Sequence, residues 1–188
     1  MLKWLLGQFF RVGGFHGATV LMVYRTGNFI YYRVHILVLR QIMLFFYYFV
    51  DYLLVRTLLN CEIPAGCRIG RNLRLPHGGK GIVIDKNAVI GDNVTLFHQV
   101  TIGRQMSDKH GSPVIGDDVL IGTGAKILGP VTIGDHSKIG ANAVVVRDVP
   151  PNSTAVGIPA RIIVIGENFE AATSDETTTE NVGEGHVE

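Results

Sequence analysis

Along the middle of the chain the aliphatic positions fall six apart. Ile63, Ile69 and Leu75 form one block, and Ile84, Ile90, Leu96 and Ile102 a second. Ile115, Ile121, Ile127, Ile133, Ile139 and Val145 form a third. A small or β-branched residue generally follows four positions later, as at Cys67, Ala88, Val94, Val100, Val119, Ala125, Val131, Ser137 and Ala143. Glycine often comes directly after the aliphatic residue, as at Gly70, Gly91, Gly103, Gly116, Gly122, Gly134 and Gly140. A period of six matches neither the 3.6-residue helix nor the eight- to twelve-residue spacing of strand–turn sheets. It matches a parallel β-helix, in which each hexad is one short strand and a corner. The aliphatic side chain points into the prism and the stacked coils share one core. The pattern therefore predicts a parallel β-helix over residues 61–166.

The flanks read differently. Residues 1–60 are apolar at helical spacing, and His35–Val55 looks at first like a membrane span. Arg40 and Asp51 interrupt it, and the uncharged run Gln41–Val50 is only ten residues, against the roughly 20 a span needs. The segment is expected to bury its apolar face between subunits or to lie on a membrane surface; its six basic residues against one acid suit the latter. Residues 167–188 are acidic and Thr-rich, the composition of a disordered tail.

The repeat breaks twice. Nine residues separate Leu75 from Ile84, across "LPHGGKG", and thirteen separate Ile102 from Ile115. The second break, Arg104–Pro113, is polar and reads as a loop leaving the wall. His77 follows Leu75 by two residues, as His98 follows Leu96. With eighteen residues per coil, their separation of 21 is one coil plus the three-residue insertion, which places both on one edge. His110, in the loop, could fold back toward them. Glu62, fifteen residues before His77, is the best carboxylate to hold a basic imidazole by its other nitrogen.

Charge adds a partner class. The tail holds seven acids and no Lys or Arg, so residues 1–166 carry 17 basic and nine acidic side chains, or +8. Such a body suits an anionic partner as well as it suits plain solvation. Cys61 and Cys67 make no disulfide framework. With no cleavable signal pattern, the cytoplasm is the expected compartment.

The hexads, "EIPAGCRIGRNLRLPHGGKGIVI", "QVTIG" and "IGTGAKILGPVTIGDHSKIGANAVVVRDVPPNSTAVGIPARII", with the helical segment before them, resemble the serine acetyltransferase-like branch of the hexapeptide-repeat acyltransferases. Within it the chain looks most similar to capsule and colanic-acid O-acetyltransferases, which share a "YR…F" helical segment (Tyr24–Phe29) and an "HG" motif. The resemblance implies an all-β, left-handed parallel β-helix preceded by helices and assembled as a trimer, or as a hexamer through residues 1–60. It implies an acetyl-CoA-dependent O-acetyltransferase without metal or nucleic acid, in the cytoplasm or at the inner face of the plasma membrane. His77 matches the family's catalytic histidine and Glu62 its partner acid. His98, Lys109 and His110 become acceptor-binding candidates. Gly103, Thr123 and Ala141 match the coenzyme A groove, with Lys126, Lys138 and Arg161 for its phosphates or adenine end. Backbone N–H groups at the glycine corners are expected to hold the oxyanion. Pro76 stands where serine acetyltransferases carry Asp, and Ser112 aligns with a serine-contacting His, so a saccharide hydroxyl is the expected acceptor and L-serine the alternative. A trimeric carbonic anhydrase with zinc on His77, His98 and His110, and a non-catalytic scaffold, are the rivals from other classes.

Overall fold

The computed structural model describes residues 12–104 and 111–164. Helix α1 (Gly14–Arg33) turns at residues 34–36 into helix α2 (Leu37–Val50), which runs on without a break into a π-helical stretch, Asp51–Leu58. Thirteen short strands follow. They stack into three sheets, ordered β1-β3-β6-β9, β11-β8-β5-β2 and β13-β12-β10-β7-β4. The first sheet (face B) carries β1 (Arg68–Ile69), β3 (Val89–Ile90), β6 (Val114–Ile115) and β9 (Thr132–Ile133). The second (face A) carries β2 (Val83–Ile84), β5 (Thr101–Gly103), β8 (Lys126–Leu128) and β11 (Val144–Val145). The third (face C) carries β4 (Thr95–Leu96), β7 (Leu120–Ile121), β10 (Lys138–Ile139), β12 (Ser153–Val156) and β13 (Arg161–Val164). All pairings are parallel except β12 with β13, where the chain reverses and closes face C.

The predicted interior is the observed one. All thirteen aliphatic hexad positions are at most 7% exposed, and Cys67, Ala88, Val94, Val100, Ala125 and Ala143 are fully buried between them. Burial pushes the Cys61 and Cys67 thiols up to about 12, which leaves them unreactive filler. The glycine after the aliphatic residue has a specific cause at the corner between faces B and C. A Cβ on Gly70, Gly91 or Gly116 would come within 2.3, 2.3 and 2.2 Å of an oxygen of Asp92, Asp117 and Asp135. Those carboxylates accept the N–H of Arg71, Asp92 and Asp117 at 2.7, 2.7 and 2.8 Å, so each coil's corner is tied to the next.

Helix α1 closes the open end of the prism. Its inward stripe is Gly17, Val20, Tyr24, Gly27 and Ile30. The Tyr24 hydroxyl donates to the Cys67 carbonyl at 3.0 Å and accepts from the Ile69 N–H at 3.2 Å. Asn28 donates to the Ala65 and Cys67 carbonyls at 2.9 and 3.0 Å. These bonds satisfy first-coil polar groups that no earlier coil can reach. Gly27 lets helix α2 approach, since a Cβ there would lie 2.3 Å from the Tyr47 ring.

Helix α2 and its π-helical continuation form one 22-residue helix, Leu37–Leu58, long and apolar enough by length and composition to cross a membrane, with only 17% of the most apolar window buried. Of the charges within it, Asp51 and Arg56 pair with each other at 2.9 Å. Val38, Phe45, Phe46 and Phe49 are each more than 60% exposed. The acidic tail read over 167–188 lies outside the described residues.

Candidate functional site

The first break stays in the wall. Pro76–Gly79 form a tight 3-10-like turn at the corner between faces C and A, with His77 at φ 63 and Gly78 at φ 74. His77 is in the left-handed region, which it shares with eight other described non-glycine residues, Gln99, His136 and Asn142 among them; what sets it apart is its place in the insertion, beside His98. The turn is tied to the coil below through Gly81 N–H to Asn60 O at 2.7 Å, and to the coil above through Gln99 N–H to Lys80 O at 2.8 Å. His77 is exposed; its ring meets the His98 ring edge-on, centroids 5.1 Å apart, and lies 6.4 Å from Phe97. The coil arithmetic that placed the two histidines together is thus observed. Nδ1 of His98 is buried with no hydrogen-bond partner among the described residues. A buried polar atom of this kind normally has one.

The same edge continues upward. Gly124 N–H donates to His98 O at 3.0 Å and Asn142 N–H to Thr123 O at 2.8 Å, so His98, Thr123 and Ala141 stack in one column of the C–A corner. Lys126 stands beside it, but its Nζ donates to the Gln99 carbonyl at 2.8 Å. That bond draws the Lys126 ammonium across the corner without neutralising its charge. Gly103 ends β5 on face A; a Cβ there would meet nothing nearer than 3.6 Å. The fold does not require that glycine, which leaves its smallness available for a ligand. Lys138 and Arg161 lie apart from the column on face C, both exposed. Lys109 and His110 lie outside the described residues.

Two glycines of the break do not leave their N–H groups open for an oxyanion. Gly78 N–H is spent on Leu75 O at 2.9 Å and Gly81 N–H on Asn60 O. Gly78 is required instead because a Cβ would lie 2.7 Å from the Cβ of His16. Helix α1 packs its first turn against the His77 turn, a long-range approach with no local sequence signal. Glu62 makes no hydrogen bond to His77 in this structure; its Oε1 accepts from Arg56 Nη1 at 3.0 Å. Its backbone is fixed on face A by Glu62 N–H to Ile82 O and Ile84 N–H to Glu62 O, at 2.8 and 2.9 Å.

Arg56 and Asp51 are the residues that sequence reasoning missed. Asp51 has a side chain only 4% exposed, and its Oδ2 accepts from Arg56 Nε at 2.9 Å. Burial pushes the Asp51 carboxyl up against the pull of Arg56. Burial opposes the Arg56 charge too, yet the Asp51 hydrogen bond and both carboxylates raise it. For Arg56 desolvation is the largest single contribution, and the Asp51 hydrogen bond and the two carboxylates together outweigh it. Glu62 and Arg56 line a cavity of about 600 Å³ with Tyr31, Tyr48, Lys86 and Arg104.

The outgoing loop is pinned at its base. Ser112 Oγ donates to Asp85 Oδ1 at 2.6 Å and Arg104 Nε to Asp85 Oδ2 at 3.0 Å. Burial pushes Asp85 up, but the Ser112, Asn87 and Arg104 bonds outweigh it and hold the carboxyl below its usual range. Among the described residues no three of His, Cys, Asp and Glu gather as a metal-binding group.

These coils and this corner make a parallel β-helix of six-residue repeats. Residues 112–147 match the bacterial transferase hexapeptide family (six repeats), and the likeness to that repeat and to solved serine acetyltransferases implies a left-handed β-helix. The serine acetyltransferase of Bacillus subtilis (strain 168) is 48% identical over 112 residues, 58% of this chain and 50% of that protein. Soybean serine acetyltransferase complexed with serine superposes with a TM-score of 0.68 at 35% identity, over 79% of this chain and 58% of that one. Serine acetyltransferase from Brucella abortus strain S19 in complex with coenzyme A gives 0.67 at 35% identity, over 77% and 54%. The chain thus spans about half the length of these relatives. Each of the three is named for serine, and none for a polysaccharide, which moves the acceptor expectation from saccharide to serine.

Proposed function

We propose that this protein is an acetyl-CoA-dependent O-acetyltransferase that acts on L-serine. The observation that carries the reading is His77, held in left-handed backbone at an exposed corner against His98, at the foot of the column His98–Thr123–Ala141. A base must stand clear of the wall to reach a hydroxyl, and the strained turn places it there. His77 removes the proton from the serine hydroxyl. That oxygen attacks the thioester carbonyl, the C–S bond breaks, and the departing thiolate takes the proton from the imidazolium. Glu62 orients His77 once the acceptor is bound, since catalytic hydrogen bonds commonly tighten only then. His98, whose ring meets that of His77 edge-on, is the acceptor-binding candidate beside it. Pantetheine lies along the corner column past Gly103, with Lys138 and Arg161 toward its phosphates. We read the assembly as a cytoplasmic trimer with sites between subunits, the bare face of helix α2 being covered by another subunit.

The test is thiol release from acetyl-CoA with purified protein. L-Serine should support turnover, and a panel of saccharides should not. Pro76, beside His77 in place of the family's Asp, is the reason for the second arm; turnover with a saccharide alone would overturn the serine acceptor.

A further inference from the structure

The π-helical stretch Asp51–Leu58 does something an α-helix could not. In an α-helix, residues five apart point roughly 140° from each other. In a π-turn the i to i+5 hydrogen bond brings them onto one face. Here Leu59 N–H donates to Leu54 O at 3.1 Å in that register, and Asp51 meets Arg56. Asp51 is buried and takes Nε, while the same guanidinium extends Nη1 to Glu62. Such stretches recur at functional sites. The Cys61 N–H to Val55 O bond at 3.0 Å fixes the path from the turn into β-helix coil one.

We infer that Arg56 is a positioning residue: anchored by Asp51, it sets where the Glu62 carboxylate stands. Glu62 has a rigid backbone and a side chain 43% exposed, so without Arg56 nothing described restrains its carboxylate. The planar fork serves both acids at once, which a single ammonium cannot do in the same geometry. The helical segment thereby reaches the chemistry through three charged side chains. The inference rests on the reading that Glu62 orients His77.

The experiment is a double-mutant cycle on acetyl-CoA turnover in the full chain. Arg56→Gln should lower kcat roughly tenfold, as coupled neighbours do, with KM for acetyl-CoA unchanged. Arg56→Lys should restore part of the loss. In a Glu62→Gln background, Arg56→Gln should add almost nothing, because its effect runs through that carboxylate. Should Arg56→Gln fail to fold, Asp51→Asn with Arg56→Gln removes the buried unpaired acid and carries the same expectation. Wild-type kcat in the Arg56→Gln protein, or full additivity with Glu62→Gln, overturns the inference. His77→Asn run alongside separates the two readings: if it stays active, the proposed mechanism fails, whatever Arg56 does.

Discussion

The β-helix hides its apolar residues and helix α2 displays them. Ile102, Ile121 and Ile127 are fully buried, while Phe45 and Phe46 are 70% and 63% exposed. The coils carry their own partners, because each hexad hands its hydrogen bonds and its aliphatic residue to the next. Among the described residues the helical segment packs on the first coil, and α1 occupies it. What the contrast teaches is that one region buries its apolar residues within a single chain and the other leaves them exposed.

Substitutions can break or sharpen that contrast. The largest effect is on rate: His77→Asn, which keeps a residue tolerant of left-handed backbone, should cut kcat by about 10² to 10⁴. A melting curve should show the fold intact, since His77 is exposed. Next comes the core. Leu96→Ala should cost about 2–5 kcal/mol by denaturant titration. Gly116→Ala, which would drive a Cβ to 2.2 Å from Asp135 Oδ1 and 3.0 Å from the Ile133 carbonyl, should cost about 1–3 kcal/mol. Acid acts more mildly. Asp85 is held below its usual range, so its contribution is present above the unfolded value near 3.9 and is lost as pH falls through the lower folded one. Asp85→Asn should flatten the melting temperature of the protein between about pH 4 and pH 2. The smallest effect belongs to the bare face. Phe45→Ser should change single-chain stability by less than about 0.5 kcal/mol. A larger loss that depends on protein concentration would show that face buried between subunits.

The parts legible in the sequence are those with a local rule. Each hexad repeats the same in–out choice, so the thirteen core positions and the coil length could be read off directly. The His77–His98 pairing followed because an insertion of three adds to a coil of eighteen. The clamp on Glu62 was not legible. With α-helical spacing Asp51 and Arg56 face apart, and only the π-turn joins them. The approach of His16 to Gly78 depends on how α1 docks, across some sixty residues of chain. The glycines of the break were visible, but the need for Gly78 lies in the packing of His16 against it.

The aspartate corner has a consequence for how such a chain can change length. Both insertions, at Leu75–Ile84 and Ile102–Ile115, fall at the other two edges. The B–C edge runs past them unbroken, Asp92 to Asp117 to Asp135. It works as a spine from which segments of any length can be hung at the opposite corners without altering the stacking register. New loops can be grafted at two edges of this prism, while the third admits growth only by whole coils.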